Sequence, residues 1–259
     1  MINKLPVLPF AVFLSVAFSC TPAHETRQAS TNQRAVSSTV TTTAPAATAP
    51  ISLNYKKGRL LFEDDFDKDL SNYIIETPAS PNSSIGIEDN KLVIDVDGGA
   101  TVWLNKKLSG NYMIEYTRKV LVDGGKNDRL SDLNQFWMAS DPNNPNLFTR
   151  TGVFKEYDPL LMYYVGFGGN TNSTTRFRKY AGTGERVLYH DLKDKEHLLE
   201  PNKAYKIKTI VYNGVTKFFV DGKEFFSFQD PEPLREGYFG FRTTESRHVI
   251  DDLEIHALE

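Results

Sequence analysis

From Ile51 onward, apolar side chains recur at every second position in short runs separated by Gly, Asn and Pro, and no long stretch repeats at the 3.6-residue helical period. "NKLVIDVDGG" alternates Leu92, Ile94 and Val96 against Val93, Asp95 and Asp97, and is predicted to turn at Gly98 and Gly99. "NYMIEYTRKV" and "YKIKTIVY" predict two further strands, the second alternating Ile207, Thr209 and Val211 against Lys206, Lys208 and Ile210. "TKFFVDGKEFFSF" predicts a hairpin, because Asp221-Gly222 can supply the positive backbone angles of a two-residue turn. "GYFGFRTT" and "HVIDDLEIHAL" predict two closing strands. The fold class expected is therefore all-β, a single-domain antiparallel β-sandwich or jelly roll. The connection from Asp123 to Asp158 is too long for a plain hairpin loop, and long insertions on such a scaffold commonly carry function.

Period two also sorts each strand into faces. In "LNQFWMAS", Phe136 and Met138 are expected inward, which sends Gln135 and Trp137 to the other side. In "LLMYYVGFGG", Leu161, Tyr163, Val165 and Phe167 form the apolar face and Met162, Tyr164 and Gly166 the opposite one. Phe177 is the inward residue of "TTRFRKY", leaving Arg176, Arg178 and Tyr180 outside, and Phe239 and Phe241 point in with Arg242 opposite. Trp137, Tyr164, Arg176, Arg178, Tyr180 and Arg242 thus gather on non-core faces, predicting a groove of aromatic rings and guanidinium forks. Arginine matches carboxylate or sulfate, and aromatic rings stack on the apolar faces of sugars. Asn134, Asp132 and Asn170 join them as substrate-binding candidates. The bland alternative is a solvated outer face with scattered charge.

Ahead of these strands, "MINKLPVLPFAVFLSVAFSC" has Lys4, an apolar run from Leu5 to Phe18 and a closing cysteine. Residues 1–20 are expected to be an export signal, too short and proline-broken to span a membrane stably. Cys20 is the single cysteine, so no internal disulfide can form, and its setting after "AFS" resembles a lipobox that would lipidate it. Residues 21–50, rich in Thr, Ala, Ser and Pro, cannot bury enough apolar surface to fold and are expected to be a disordered tether before a domain at 51–259. The expected location is outside the cytoplasm, at the outer membrane or in the periplasm, with membrane contact through the lipid anchor only and a monomeric state.

Net charge of -3 offers no basic excess for nucleic acid, and 12 Tyr with 17 Phe favour strands and saccharide or protein surfaces. There is no CxxC or HExxH zinc signature, no thiol beyond Cys20, and "GFGGN" sits among strands rather than in a phosphate loop. The E-x-D-x-E run of retaining glycosidases on concanavalin-like sandwiches is absent. No cofactor is required, and "FEDDF" at 62–66 is expected to supply turn residues or the edge of a structural calcium site. Tyr, His, Arg and Asn remain, the set suited to β-elimination beside a uronic acid carboxylate: Arg and Asn neutralise the carboxylate, while Tyr and His move protons. His248 and then His190, with Tyr164, Arg176 and Arg178, are the catalytic candidates, because both histidines follow groove strands whereas His197 lies in a charged run and His256 near the end.

"DLNQFWMASDP", "LLMYYVGFGGNTNSTTRFRKY" and "VDGKEFFSFQDPEPLREGYFGFRTTESRHVIDD" together resemble a family of secreted concanavalin A-like proteins from bacterial polysaccharide-utilisation clusters, many of them labelled as a domain of unknown function. The resemblance runs from about Leu61 onward. It implies a two-sheet jelly roll and a role in glycan breakdown, with relatives in ulvan-degrading clusters that include an oligosaccharide dehydratase. The R-T-E-x-R, Q-I-H and Y-F-K-A-G motifs of alginate lyases with this fold are absent. The function expected is a carbohydrate lyase, dehydrating or chain-cleaving, on acidic and potentially sulfated oligosaccharides or polysaccharides such as ulvan. The alternatives are a noncatalytic surface glycan-binding lipoprotein and a glycoside hydrolase using scattered carboxylates such as Glu156 and Asp132.

Overall fold

In the computed structural model, which describes residues 51–259, the period-two runs form fourteen strands. In chain order they are β1 (Lys57–Asp64), β2 (Tyr73–Glu76), β3 (Ser84–Glu88), β4 (Lys91–Leu104), β5 (Leu108–Ser109), β6 (Tyr112–Leu121), β7 (Leu133–Ser140), β8 (Leu161–Gly168), β9 (Thr174–Ala181), β10 (Arg186–Leu192), β11 (Ala204–Tyr212), β12 (Val215–Val220), β13 (Lys223–Gln229) and β14 (Glu236–Leu258). The leader, Cys20 and the tether expected at 21–50 lie outside the described residues. Among the described residues no helix is long and apolar enough to cross a membrane.

All pairings are antiparallel, and hydrogen bonding runs through β10, β9, β8, β7, β14, β6, β11, β12 and β13. β14 belongs to both layers of the sandwich: Tyr238–Arg242 pair with β7, and Arg247–Ala257 pair with β6. β4 follows it around the bend, pairing from Ile250↔Leu92 to Gly240↔Trp103. The expected all-β jelly roll is present, with two adjustments. "GYFGFRTT" and "HVIDDLEIHAL" are one strand rather than two, and Gly98-Gly99 does not turn but continues β4. At Gly99 the glycine serves close approach, since a Cβ there would lie 2.1 Å from the Gly152 carbonyl oxygen. The hairpin at Asp221-Gly222 forms as its sequence predicts, with φ of 50° and 81°.

The main core lies between the layers, where Phe167 meets Tyr205 and Phe225, and Phe177 meets Phe226. Trp137 is there too, fully buried, stacked on Phe177 with its indole N–H donated to Thr216 Oγ1 at 3.0 Å. Its expected place in the groove is therefore wrong, and a β-bulge explains why. Met138 has φ of 54° and the β7/β8 register breaks between Trp137 and Ser140, so Trp137 and Met138 both enter the core. Counting by twos from Met138 across that bulge reverses every earlier face, and Phe136 is the residue turned outward.

Phe136 joins a second apolar cluster on the outer face of the β7, β8 and β9 layer, with Trp103, Tyr157, Leu160, Met162, Tyr164 and Tyr180. The segment 141–160 covers this cluster and is tied down from below by Glu76. That buried carboxylate accepts the Trp103 indole N–H at 2.7 Å, the Tyr157 hydroxyl at 2.8 Å and the Arg150 backbone N–H at 2.8 Å. Arg150 in turn pairs with Asp141 at 2.5 Å, both nearly buried. The connection expected from Asp123 to Asp158 is thus not one insertion: β7 divides it, and its second part, 141–160, is a fixed wall standing on the sheet.

Candidate functional site

Beside that wall the outer face of β7, β8 and β9 opens into a groove of about 440 Å³. Tyr164 from β8 forms its floor. Its ring leans along the strand over Gly166, where a Cβ would come within 2.3 Å of the Tyr164 hydroxyl, so glycine is what permits this pose. Burial pushes the Tyr164 hydroxyl well above the ordinary tyrosine value, and it has no hydrogen-bond partner among the described residues. The Arg178 guanidinium lies over the same ring, 5.8 Å from its centroid.

The charges around this floor are unequally matched. Arg176 pairs with Asp191 at 3.0 Å, Arg186 with Asp158 at 2.6 Å and Arg129 with Asp132 at 2.6 Å. Arg178 has no ion-pair partner among the described residues. Beneath the groove Arg242 is buried against Phe154 and Tyr157 and donates to the Gly152 carbonyl at 2.6 Å, while Arg118 donates to the Asn134 and Arg242 carbonyls. Burial lowers both guanidinium groups, Arg118 to about 10, which leaves them protonated near neutral pH. Two buried cations without a contacting carboxylate give the groove a positive field suited to an anion.

Asp132 and Asn134 sit at one end of the floor. Asp132, at φ of 62°, accepts the Asn134 amide N–H at 3.2 Å, and the Asn134 Oδ1 is buried without a partner. Beside Asp132 lies the single turn Gly169–Asn172, whose Asn170, Thr171 and Asn172 all have φ of 51–56°. Left-handed backbone costs about 1–2 kcal/mol per ordinary residue. The Asn172 amide offsets this by donating to the Leu199 carbonyl at 2.9 Å and accepting the Leu199 N–H at 2.8 Å.

Of the residues expected from sequence, the groove is lined by Tyr164, Arg176, Arg178, Asp132, Asn134 and Asn170. Arg242 and Tyr180 lie just beneath it as support. Tyr180 is fully buried with an unpartnered hydroxyl whose pKa burial pushes up to about 12. Both histidines are corrected. His248 is fully buried, with Nδ1 accepting from Arg118 at 3.2 Å and Nε2 between the Thr243 and Ser246 hydroxyls, each at 2.8 Å. Burial drives its pKa well below the usual value, so it stays neutral and sealed. His190 follows a bulge in β10 and turns away from Arg176, packing on Phe177 and Phe226. A His190→Ala variant is therefore expected to keep ligand affinity within about twofold by titration calorimetry, since no groove contact is lost.

Glu156, considered as a hydrolase carboxylate, instead accepts the Thr151 N–H and hydroxyl. In "FEDDF", Asp64 closes β1 and steers the chain out of it, accepting the Phe66 N–H and the Tyr73 hydroxyl. Among the described residues no group of three His, Cys, Asp or Glu could hold a metal ion. Sequence reasoning missed Arg129, Phe154, Arg186, Thr244 and Glu245 on the groove lining. Only the length of the connection from Asp123 to Asp158 hinted at the first two.

The sequence matches the family model described as Domain of unknown function (DUF6250) over residues 94–253. No curated protein matches it. Among solved structures, a Bacillus subtilis protein of unknown function with a galectin-like fold aligns at 18% identity and TM-score 0.65, covering 79% of this chain and 99% of that one. The endo-β-1,3-glucanase of Pyrococcus furiosus aligns at 10% identity and TM-score 0.54, covering 80% and 99%. A laminarinase from Flavobacterium sp. UMI-01 aligns at 12% identity and TM-score 0.54, covering 76% and 100%. At these identities the likeness is one of fold.

Proposed function

Because this chain belongs to the DUF6250 family, whose description assigns no activity, we propose its function from the groove: an exported lipoprotein, anchored at Cys20, that binds an acidic, uronate-bearing oligosaccharide and acts on it as a carbon–oxygen lyase. The observation that carries this is the unpaired Arg178 guanidinium set over the Tyr164 ring, beside a hydroxyl that burial keeps protonated. A guanidinium neutralises the sugar carboxylate, which acidifies the adjacent C–H, and the Tyr164 phenol donates its proton to the departing oxygen. The glucanase and laminarinase that share the fold accord with a saccharide ligand.

Incubation with uronate oligosaccharides should generate absorbance at the unsaturated uronate band. Tyr164→Phe is expected to lower that rate roughly 10²- to 10⁴-fold while leaving binding intact. The sign of its pH dependence follows from the raised pKa: the proton is present at neutral and mildly alkaline pH and is lost only as pH climbs through the raised value. An alkaline loss of activity already complete before the ordinary tyrosine range is reached would contradict the role.

A second reading, hydrolysis, draws on Asp132 and Glu245, two carboxylates on one groove with both candidate histidines elsewhere. New reducing ends without unsaturation would favour it. Binding with no product of either kind would favour a noncatalytic glycan receptor.

A further inference from the structure

We infer that Glu245 is the proton acceptor of the elimination, an assignment that rests on the lyase reading of the groove. The proton abstracted from carbon needs a base, and the sealed His248 and turned-away His190 leave none of the expected kind. The titratable side chains on the groove are four arginines, Tyr164, Asp132 and Glu245. Arginine stays protonated, and burial holds Tyr164 as the neutral phenol, a proton donor. Asp132 is committed, with one oxygen on Arg129 at 2.6 Å and the other on the Asn134 amide at 3.2 Å. Glu245 is exposed on the lining and has no ion-pair or hydrogen-bond partner for its carboxylate among the described residues.

Its backbone supports the same assignment. Glu245 has φ of 46°, and the β14/β4 register slips between Thr244 and Ser246, so the residue is the bulge of the strand. Bulges of this kind re-aim a side chain, and strained backbone positions cluster at active sites and ligand clamps. Arg129 clamps the bulge from the groove side, donating to the Glu245 carbonyl at 2.8 Å and to the Thr244 carbonyl. The reaction then balances: the C–H bond breaks towards the Glu245 carboxylate, the carbon–carbon double bond forms, the C–O bond breaks, and the leaving oxygen takes the Tyr164 proton. Water afterwards removes the proton from Glu245 and restores that of Tyr164.

The test is steady-state turnover and equilibrium binding of the full chain with a uronate oligosaccharide series, for wild type, Glu245→Gln, Glu245→Asp and Glu245→Gly. Glycine suits the positive φ and keeps the bulge should the glutamine variant fail to fold. Glu245→Gln and Glu245→Gly are expected to lose at least about 100-fold in kcat with Kd changed less than about threefold, and Glu245→Asp to recover part of the rate. Turnover above about a tenth of wild type in either of the first two overturns the assignment while the lyase reading stands. An inactive wild type that binds the same sugars, or one that yields reducing ends without unsaturation, overturns both.

Discussion

Arg178→Met is expected to cost about 10- to 100-fold in affinity for acidic oligosaccharides, measured by calorimetry at low ionic strength. A charge-assisted hydrogen bond contributes about 1.5–3 kcal/mol, and nothing else in the groove can replace this one. Arg176, Arg186 and Arg129 already face Asp191, Asp158 and Asp132, so recruiting any of them would break an existing pair. The loss should be specific to charge: neutral oligosaccharides of the same length should bind both proteins alike. Raising salt should erode the wild-type advantage, since the Arg178 guanidinium is half-buried and open to screening. Arg178→Lys should fall between, keeping the charge without the planar fork. Equal affinity of wild type and Arg178→Met for a uronate sugar would remove the basis for an acidic ligand.

Glu76→Ala should destabilise the domain by about 3–5 kcal/mol in urea denaturation, although Glu76 touches no groove residue named above. The substitution strands three donors at once: the buried Trp103 indole and Tyr157 hydroxyl, and the partly buried Arg150 backbone N–H. Arg150 also holds the carbonyls of Leu147 and Glu156 at 2.7 and 2.8 Å, so slackening at its backbone frees the segment 141–160 from the sheet. Gly152 on that segment receives the buried Arg242, and its departure would remove the shortest of that cation's hydrogen bonds, leaving those to the Thr101 and Thr244 hydroxyls at 3.3 Å. Limited proteolysis should therefore cut the variant first within 141–160. An uncut segment and an unchanged midpoint would mean that the wall is held from elsewhere.

Much of this architecture was legible in the alternation alone, because a strand buried on one face must place apolar residues at every second position. Tyr163, Val165, Phe167, Phe177, Phe239 and Phe241 all face inward as their spacing predicts. The same rule put Tyr164, Arg176 and Arg178 on the groove side. It failed at Trp137 because a single left-handed residue, Met138, adds one position to the count, and no local composition marks that residue as a bulge. His248 misled for a different reason. The residues between the two predicted strands, Glu245, Ser246 and Arg247, read as a connection, yet β14 continues through them with one bulge and buries the histidine in a polar interior. Glu245 and Arg186 were invisible because they reach the groove through pairings between strands, and only tertiary geometry reveals which loops meet.

β14 also sets how the protein reaches its native state. The strand pairs with β1 and β4 from the first part of the described chain as well as with β6 and β7, so both layers stay open until it docks. Such long-range pairing closes large loops before any contact rewards them, which places folding in the regime of about milliseconds to seconds typical of all-β topologies. The Arg242 support, the Thr244 and Glu245 rim and the pairing that orders Asn134 all arrive on this one strand. The β8 and β9 floor, with Tyr164, Arg176 and Arg178, rests on a local pairing, so the groove is completed in the step that closes the sandwich.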